Sequence, residues 1–208
     1  MAQAPEGSRR GADRGASRSS LIGLLRSEQV QKELKLTDEQ LAKVREVSEA
    51  LGTEMREQFA AVRAIDDREQ QRAKMNELRD EFDSKAREKL RDVLSREQMM
   101  RLYQVRMQVR PVVDSLDSRF VAGRLKLTDD QKAKLAEVGK EVQAKLSELY
   151  GQMRDASEQQ RSELFQKFRN IRSEGDEKAL GVLTDEQKKA FEEMKGEKIE
   201  LEMRRSRG

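Results

Sequence analysis

The sequence contains no cysteine, no histidine and no tryptophan, and only two prolines and two tyrosines among 208 residues. Without cysteine there is no disulfide, no thiolate nucleophile and no thiolate-held zinc. Without histidine there is no imidazole to act as base, proton shuttle or metal ligand. A Ser-His-Asp triad, an HExxH zinc site and an ExxH di-iron bundle are thereby excluded together. No glycine-rich phosphate loop is present, so catalysis would rest on carboxylate, lysine or tyrosine alone. The chain therefore reads as a non-enzyme with no cofactor and no dedicated metal site. No run of 18 apolar residues occurs, so no membrane span is encoded. The lack of cysteine fits either redox compartment.

What fills the chain instead is charge. Charged residues make up 40%, with 43 Lys and Arg against 40 Asp and Glu. The small excess of +3 comes from the ends, where Arg9, Arg10, Arg14, Arg18, Arg204, Arg205 and Arg207 sit. The core between them is close to neutral, so the basic isoelectric point is no sign of a nucleic-acid groove, and no nucleic-acid partner is expected. Residues 1–19, with Pro5, Gly7, Gly11 and Gly15, read as a disordered Arg/Gly/Ser arm. Residues 204–208 read as a basic tail.

Between these ends the apolar residues recur in steps of three and four. One stripe is Leu41, Val44, Leu51, Met55, Phe59, Val62 and Ile65, which predicts one helix over 38–65. Others are Met75, Leu78, Phe82, Leu90 and Val93, and Leu135, Val138, Val142, Leu146, Leu149 and Met153. Such spacing gives helices with one buried face. Met55, Met75, Met153 and Met194 fall on these stripes and read as core rather than as ligands. The expected fold is all-α, an elongated helical bundle of two similar helical-hairpin halves.

The halves are visible as an internal repeat. Leu34–Gln40 recurs as Leu125–Gln131, an offset of 91, while Leu94–Gln98 recurs as Leu183–Gln187, an offset of 89. The copies therefore differ in length by two residues between Gly52 and Asp66. They are placed at 20–110 and 111–203, with Pro111 at the junction, each with a short helix, two long helices and a fourth helix. The motif itself, Leu-Thr/Ser-x-x-Gln, is a capping box. The hydroxyl of Thr37, Ser95, Thr128 or Thr184 accepts from the N–H three residues on. Gln40, Gln98, Gln131 or Gln187 reaches back to the cap residue's own N–H. Leu36, Leu94, Leu127 and Leu183 precede the cap, where a hydrophobic staple forms. The acidic residues Asp38, Glu39, Asp129 and Asp185 suit the positive end of the helix dipole. Asp66 with Glu69, and Asp155 with Glu158, are expected to cap the next long helices.

Paired motifs of this kind, Leu36–Gln40 with Leu94–Gln98 and Leu127–Gln131 with Leu183–Gln187, resemble those of the Spy/CpxP family of periplasmic proteins. The resemblance implies a helical-hairpin fold and an ATP-independent periplasmic chaperone or envelope-stress role, with unfolded proteins as partners and a possible homodimer. The chain departs from that family in carrying two motif pairs instead of one, so it could be a pseudo-dimer. Metal-responsive relatives use mainly histidine, which is absent, so that branch is the weaker reading. A structural or scaffolding protein acting only in oligomerisation is the alternative.

The candidate client surface lies around Met99, Met100, Arg101, Tyr103, Arg106, Met107 and Arg110. Apolar residues occupy more than one side of this helix, and flexible methionines suit an adaptable surface. The alternative is that this helix is the buried centre of the bundle or a homodimer seam. Residues 1–20 lack the apolar stretch of a secretory signal. Ala2-Gln3-Ala4, however, has the small-x-small form that precedes a signal-peptidase cut. An upstream export signal and a periplasmic location are therefore expected, with a cytoplasmic start as the alternative.

Overall fold

The computed structural model describes residues 19–199. The arm expected over 1–19 lies outside them except for Ser19, and the tail at 204–208 lies wholly outside. The described residues form eleven α-helices and no strand, so the fold is all-α. The chain divides into two compact units. Among the described residues, the first holds 19–106 with 197–199, and the second holds 107–196.

In the first unit, α1 (Leu21–Leu25) and α2 (Glu28–Glu33) are short. α3 (Asp38–Glu54), α4 (Arg56–Arg63) and α5 (Arg68–Leu90) make the hairpin, and α6 (Arg96–Val109) follows. In the second unit, α7 (Val112–Leu116) and α8 (Arg119–Arg124) are the short helices. α9 (Asp129–Asp155) and α10 (Glu158–Gly181) form the hairpin, and α11 (Asp185–Lys195) completes it. Each unit thus opens with two short helices where the sequence pattern suggested one. The division between units falls inside α6, between Arg106 and Met107.

The packing has the same plan twice. α1 lies against both α3 and α5, and α7 lies against both α9 and α10. The first core gathers Leu21, Leu25, Leu51, Leu90, Leu102 and Val105, all essentially inaccessible to solvent. The second gathers Leu116, Val121, Leu135, Ala179, Leu183 and Phe191. Phe191 stands at the offset of 89 from Leu102, and both are fully buried. These cores are narrow because each helix offers only one apolar stripe on a charged cylinder.

The single helix expected over 38–65 is interrupted at Met55, whose backbone (φ −100°, ψ 2°) leaves the helical region. The physical reason is visible by comparison with α9, which is unbroken. Before the interruption stand Gly52 and Thr53, weak helix formers; α9 has Gln143 and Ala144 there. Met55 is completely buried, whereas Phe59, Val62 and Ile65 beyond it are only half-buried. Met75, Met153 and Met194 are likewise half-buried. Phe59 meets Phe82 edge-on at 6.3 Å, which holds α4 on α5.

The hairpin caps fall slightly beyond the expected positions. α5 is capped by Asp67, which accepts from the N–H of Gln70 at 2.7 Å, in place of Asp66. α10 is capped by Ser157 in a full capping box with Gln160, in place of Asp155. A hydroxyl or carboxylate competes for the cap wherever it has extended backbone, and Ser157 (φ −65°, ψ 167°) has it.

In the second unit the hairpin helices come unusually close at Gly175. A Cβ built there would lie 2.4 Å from Val142 Cγ2. The absence of a side chain therefore sets the approach of α10 to α9.

Candidate functional site

The repeated motif is assembled from the end of one helix and the start of the next. α2 closes with a Schellman pattern: Lys35 N–H donates to the carbonyl of Lys32 at 3.0 Å, and Leu36 N–H to that of Gln31 at 3.0 Å. α8 closes the same way, from Lys126 to Gly123 at 3.2 Å and from Leu127 to Ala122 at 3.0 Å. Both turns need a left-handed residue, and lysine supplies it twice, Lys35 at φ 50° and Lys126 at φ 52°. The chain then passes directly into Leu36-Thr37 or Leu127-Thr128 and the next helix begins.

All four motifs start helices as expected. Gln40 N–H donates to Thr37 Oγ1 at 3.2 Å, and Thr37 N–H to Gln40 Oε1 at 3.2 Å. The same reciprocal pair joins Ser95 with Gln98, Thr128 with Gln131, and Thr184 with Gln187. Leu94, Leu127 and Leu183 are buried beneath their caps, and Leu36 is half-buried.

The glutamines do more than cap. Gln40 Nε2 donates to Gln98 Oε1 at 2.8 Å and to the carbonyl of Val93 at 2.9 Å. Gln98 Nε2 donates in return to Gln40 Oε1 at 3.1 Å and to the carbonyl of Leu34 at 3.0 Å. Each amide thus uses two donors and two acceptor positions, its full capacity. The second unit repeats the arrangement. Gln131 Nε2 donates to Gln187 Oε1 at 2.7 Å and to Val182 at 3.0 Å. Gln187 Nε2 donates to Gln131 Oε1 at 3.1 Å and to Leu125 at 3.2 Å. Two helix starts more than fifty residues apart are therefore clasped through a paired amide, with each nitrogen also tying down a turn carbonyl.

Of the seven residues proposed from the sequence for client capture, Met100 alone is exposed, at 56%. Met99 lies in the first core with Leu102 and Val105. Arg101 pairs with Glu33 at 2.6 Å, closing α6 onto α2. Arg106 pairs with Asp83, and its Nε donates to the carbonyl of Ser19 at 3.1 Å. Tyr103 is half-buried, with the Arg87 guanidinium 5.9 Å from its ring centre. In the second unit Met107 packs on the core and Arg110 is half-buried. Arg101 and Arg106 therefore serve internal pairs instead of forming an open basic surface. Exposed apolar groups of the second unit include Phe120, at 68%, and Phe165, at 52%, neither singled out by the sequence pattern.

Two carboxylates of the second unit are electrostatically distinctive. Asp176 on α10 accepts the N–H of Val112 at 2.7 Å and of Val113 at 3.4 Å, capping α7 from a neighbouring helix. Pro111, at the cap position itself, has no side chain able to do this. Burial raises the Asp176 pKa, and the two N–H bonds hold it partly back. Glu141 is bonded by Lys145 and by Lys178 of the facing helix, which lower its pKa to about 2. Among the described residues, no group of three or more His, Cys, Asp or Glu side chains is placed to hold a metal ion.

The fold and its clasps define an all-helical protein organised by paired Leu-Thr/Ser-x-x-Gln motifs. Residues 113–195, within the second unit, match the family model described as LTXXQ motif family protein. No curated protein and no solved structure matches the chain.

Proposed function

We propose that the protein is an ATP-independent chaperone or envelope-stress protein of the periplasm that captures unfolded segments. The observation that carries this reading is the family match over 113–195. It is supported by Met100, Phe120 and Phe165, large apolar side chains left exposed to water. Such groups offer reversible hydrophobic contact, and the charged surroundings keep a bound client in solution. The internal repetition is read as a tandem duplication of one motif pair. No catalysis and no cofactor enter this reading. Among the described residues no helix is long and apolar enough to cross a membrane.

The test is aggregation of a chemically denatured model protein followed by light scattering, without nucleotide. An equimolar dose suppresses scattering under this proposal; no suppression at several-fold excess rejects it. Replacing Met100, Phe120 and Phe165 with serine separates capture from scaffolding. Lost capture with unchanged assembly supports the chaperone. Lost assembly with unchanged capture assigns these groups to oligomerisation instead.

A further inference from the structure

One side of the second hairpin carries aromatic side chains that the corresponding positions of the first hairpin lack. On α10, Phe165 is 52% exposed and Phe168 is half-buried, and on α9 Tyr150 is exposed. Tyr150 meets Phe168 edge-on with ring centres 4.9 Å apart, and the Arg172 guanidinium lies 5.0 Å from the centre of the Phe168 ring. These three groups form a fixed ledge across the hairpin. Phe165, three residues before Phe168, is its neighbour on the same face of α10. In the first unit, at the offset of 89, Asn76 stands for Phe165, Arg79 for Phe168 and Asp80 for Arg169. The strip therefore belongs to the second unit and is not part of the shared plan.

Cations flank the exposed ring at regular spacing. Arg161, Phe165 and Arg169 follow one another at i, i+4 and i+8 on α10, and all three are exposed. Among the described residues, neither Arg161 nor Arg169 has an ion-pair partner. Glu163, two residues from Phe165, falls about 200° round the helix and so lies on the far side. Glu158 stands at the start of α10, in the turn before Arg161. Successive members of the strip are about 6 Å apart along the helix axis. In an extended peptide the side chains of one face recur about every 6.6 Å. Over two steps the mismatch is about 1 Å, which long arginine side chains absorb. An extended segment along α10 thus brings its residues i, i+2 and i+4 opposite Arg161, Phe165 and Arg169. Complementarity then requires acid at the first and last of these and an apolar side chain between them.

We propose that this strip docks an extended protein segment of the pattern acidic-x-apolar-x-acidic. The two carboxylates meet Arg161 and Arg169, and the central side chain lies on Phe165 beside the Tyr150–Phe168 ledge. The inference rests on the capture reading and narrows it, naming the segments that the second unit takes. Suppression of scattering tests capture itself, whereas peptide titration tests the strip, so the two fail separately.

The test follows amide NMR shifts of the full chain during titration with the peptide Gly-Glu-Thr-Leu-Thr-Glu-Gly, blocked at both ends. Saturable shifts gathered on 158–172 and around Tyr150 are expected. The permuted peptide Gly-Thr-Glu-Leu-Glu-Thr-Gly has the same composition but sets both acids on the face opposite leucine, and it binds at least fivefold more weakly. Phe165→Asn/Arg169→Asp gives α10 the residues that α5 carries at exposed positions, and it lowers affinity at least tenfold, with circular dichroism showing that the fold is kept. Should that variant not fold, Arg161→Gln/Arg169→Gln gives the same loss. Arg161→Glu/Arg169→Glu transfers the preference to the peptide with lysine in place of both glutamates. Absence of a saturable shift at several-millimolar peptide overturns the proposal. So do equal affinity for the permuted peptide, shifts away from α9 and α10, or affinity indifferent to the variants. Sedimentation with phosphatidylglycerol vesicles that needs Phe165 and Arg169 and is not competed by the peptide also overturns it, and assigns the strip to a membrane surface.

Discussion

A change of Gln40 to glutamate separates the two roles of the motif, because they respond with opposite sign. Glutamate serves in a capping box as well as glutamine does, and a carboxylate in the first turn is favoured by the helix dipole by about 0.3–1 kcal/mol. If Gln40 were only a cap, the variant would be neutral or slightly more stable. In the clasp, however, Gln40 Nε2 donates to Gln98 Oε1 and to the Val93 carbonyl. A carboxylate cannot donate either bond, and it sets a negative oxygen against two acceptors. Losing two bonds at about 0.5–1.5 kcal/mol each, with half-buried acceptors left unsatisfied, gives a net cost of about 2–3 kcal/mol. The assay is reversible denaturant unfolding of Gln40→Glu beside Gln160→Glu. Gln160 makes the same capping box with Ser157, and among the described residues its amide makes no long-range bond. Gln160→Glu is therefore neutral within about 0.5 kcal/mol. The new carboxyl at position 40, crowded by acceptors, has a folded pKa above its unfolded value. The deficit consequently shrinks as pH falls below about 5, where protonation restores one donor. An unaltered midpoint for Gln40→Glu at neutral pH would refute the clasp as a source of stability.

Gly175→Ala gains about 1 kcal/mol of helix propensity but drives its Cβ into Val142 Cγ2, on a side chain nearly fixed in its rotamer. Net destabilisation of about 1–2 kcal/mol, seen as a lowered melting temperature, is expected, and a raised one contradicts the close approach. Asp176→Asn keeps an acceptor for the α7 N–H groups while removing a half-buried charge, so it is at least as stable as wild type at neutral pH. Asp176→Ala costs about 1 kcal/mol. Because the folded pKa of Asp176 is raised, its contribution is greatest in acid and declines as pH rises through that value. The advantage of Asn is therefore largest at neutral pH and absent in acid. Glu141 behaves the other way: its lowered pKa gives stability present above the unfolded value near 4.3 and lost as pH falls toward about 2. Carboxyl NMR titration of Lys145→Ala and Lys178→Ala should move its midpoint up in each. Lys35→Gly relieves a left-handed residue at an exposed helix end and raises stability by about 0.5–1 kcal/mol, measured by thermal unfolding.

The helix starts were legible because a capping box is closed within four residues and depends on nothing distant. The clasp was not, since which side chain meets an amide across fifty residues is decided by how the hairpin folds back. One signal did point to it. All four motifs end in glutamine, although glutamate would cap as well and is abundant in this chain. The residue after each of these glutamines, by contrast, varies: Leu41, Met99, Lys132 and Lys188. A residue type fixed beyond its local need implies a second set of bonds. The break at Met55 was readable from Gly52-Thr53 but was overridden by the continuity of the apolar stripe. The pairing of the arginines in the client segment was not legible for a different reason. Composition counts cations without showing that Arg101 and Arg106 are already paired with Glu33 and Asp83.

The clasp also explains how so charged a chain keeps a single helix register. Narrow apolar stripes tolerate sliding, since one leucine substitutes for another along the groove. The amide pair does not: one residue of slip shifts a helix by about 1.5 Å and breaks bonds of 2.7–3.1 Å. Register is therefore fixed at the helix starts by polar groups that are satisfied in one arrangement only. With register secured there, neighbouring positions are released from that duty. Ser20 caps α1 from within its own turn, whereas α7 borrows Asp176 from α10. Asn76 and Asp80 of α5 stand where α10 has Phe165 and Arg169. The shared motif accounts for why both units fold alike, and the unshared residues around it are where chemistry specific to one unit can reside.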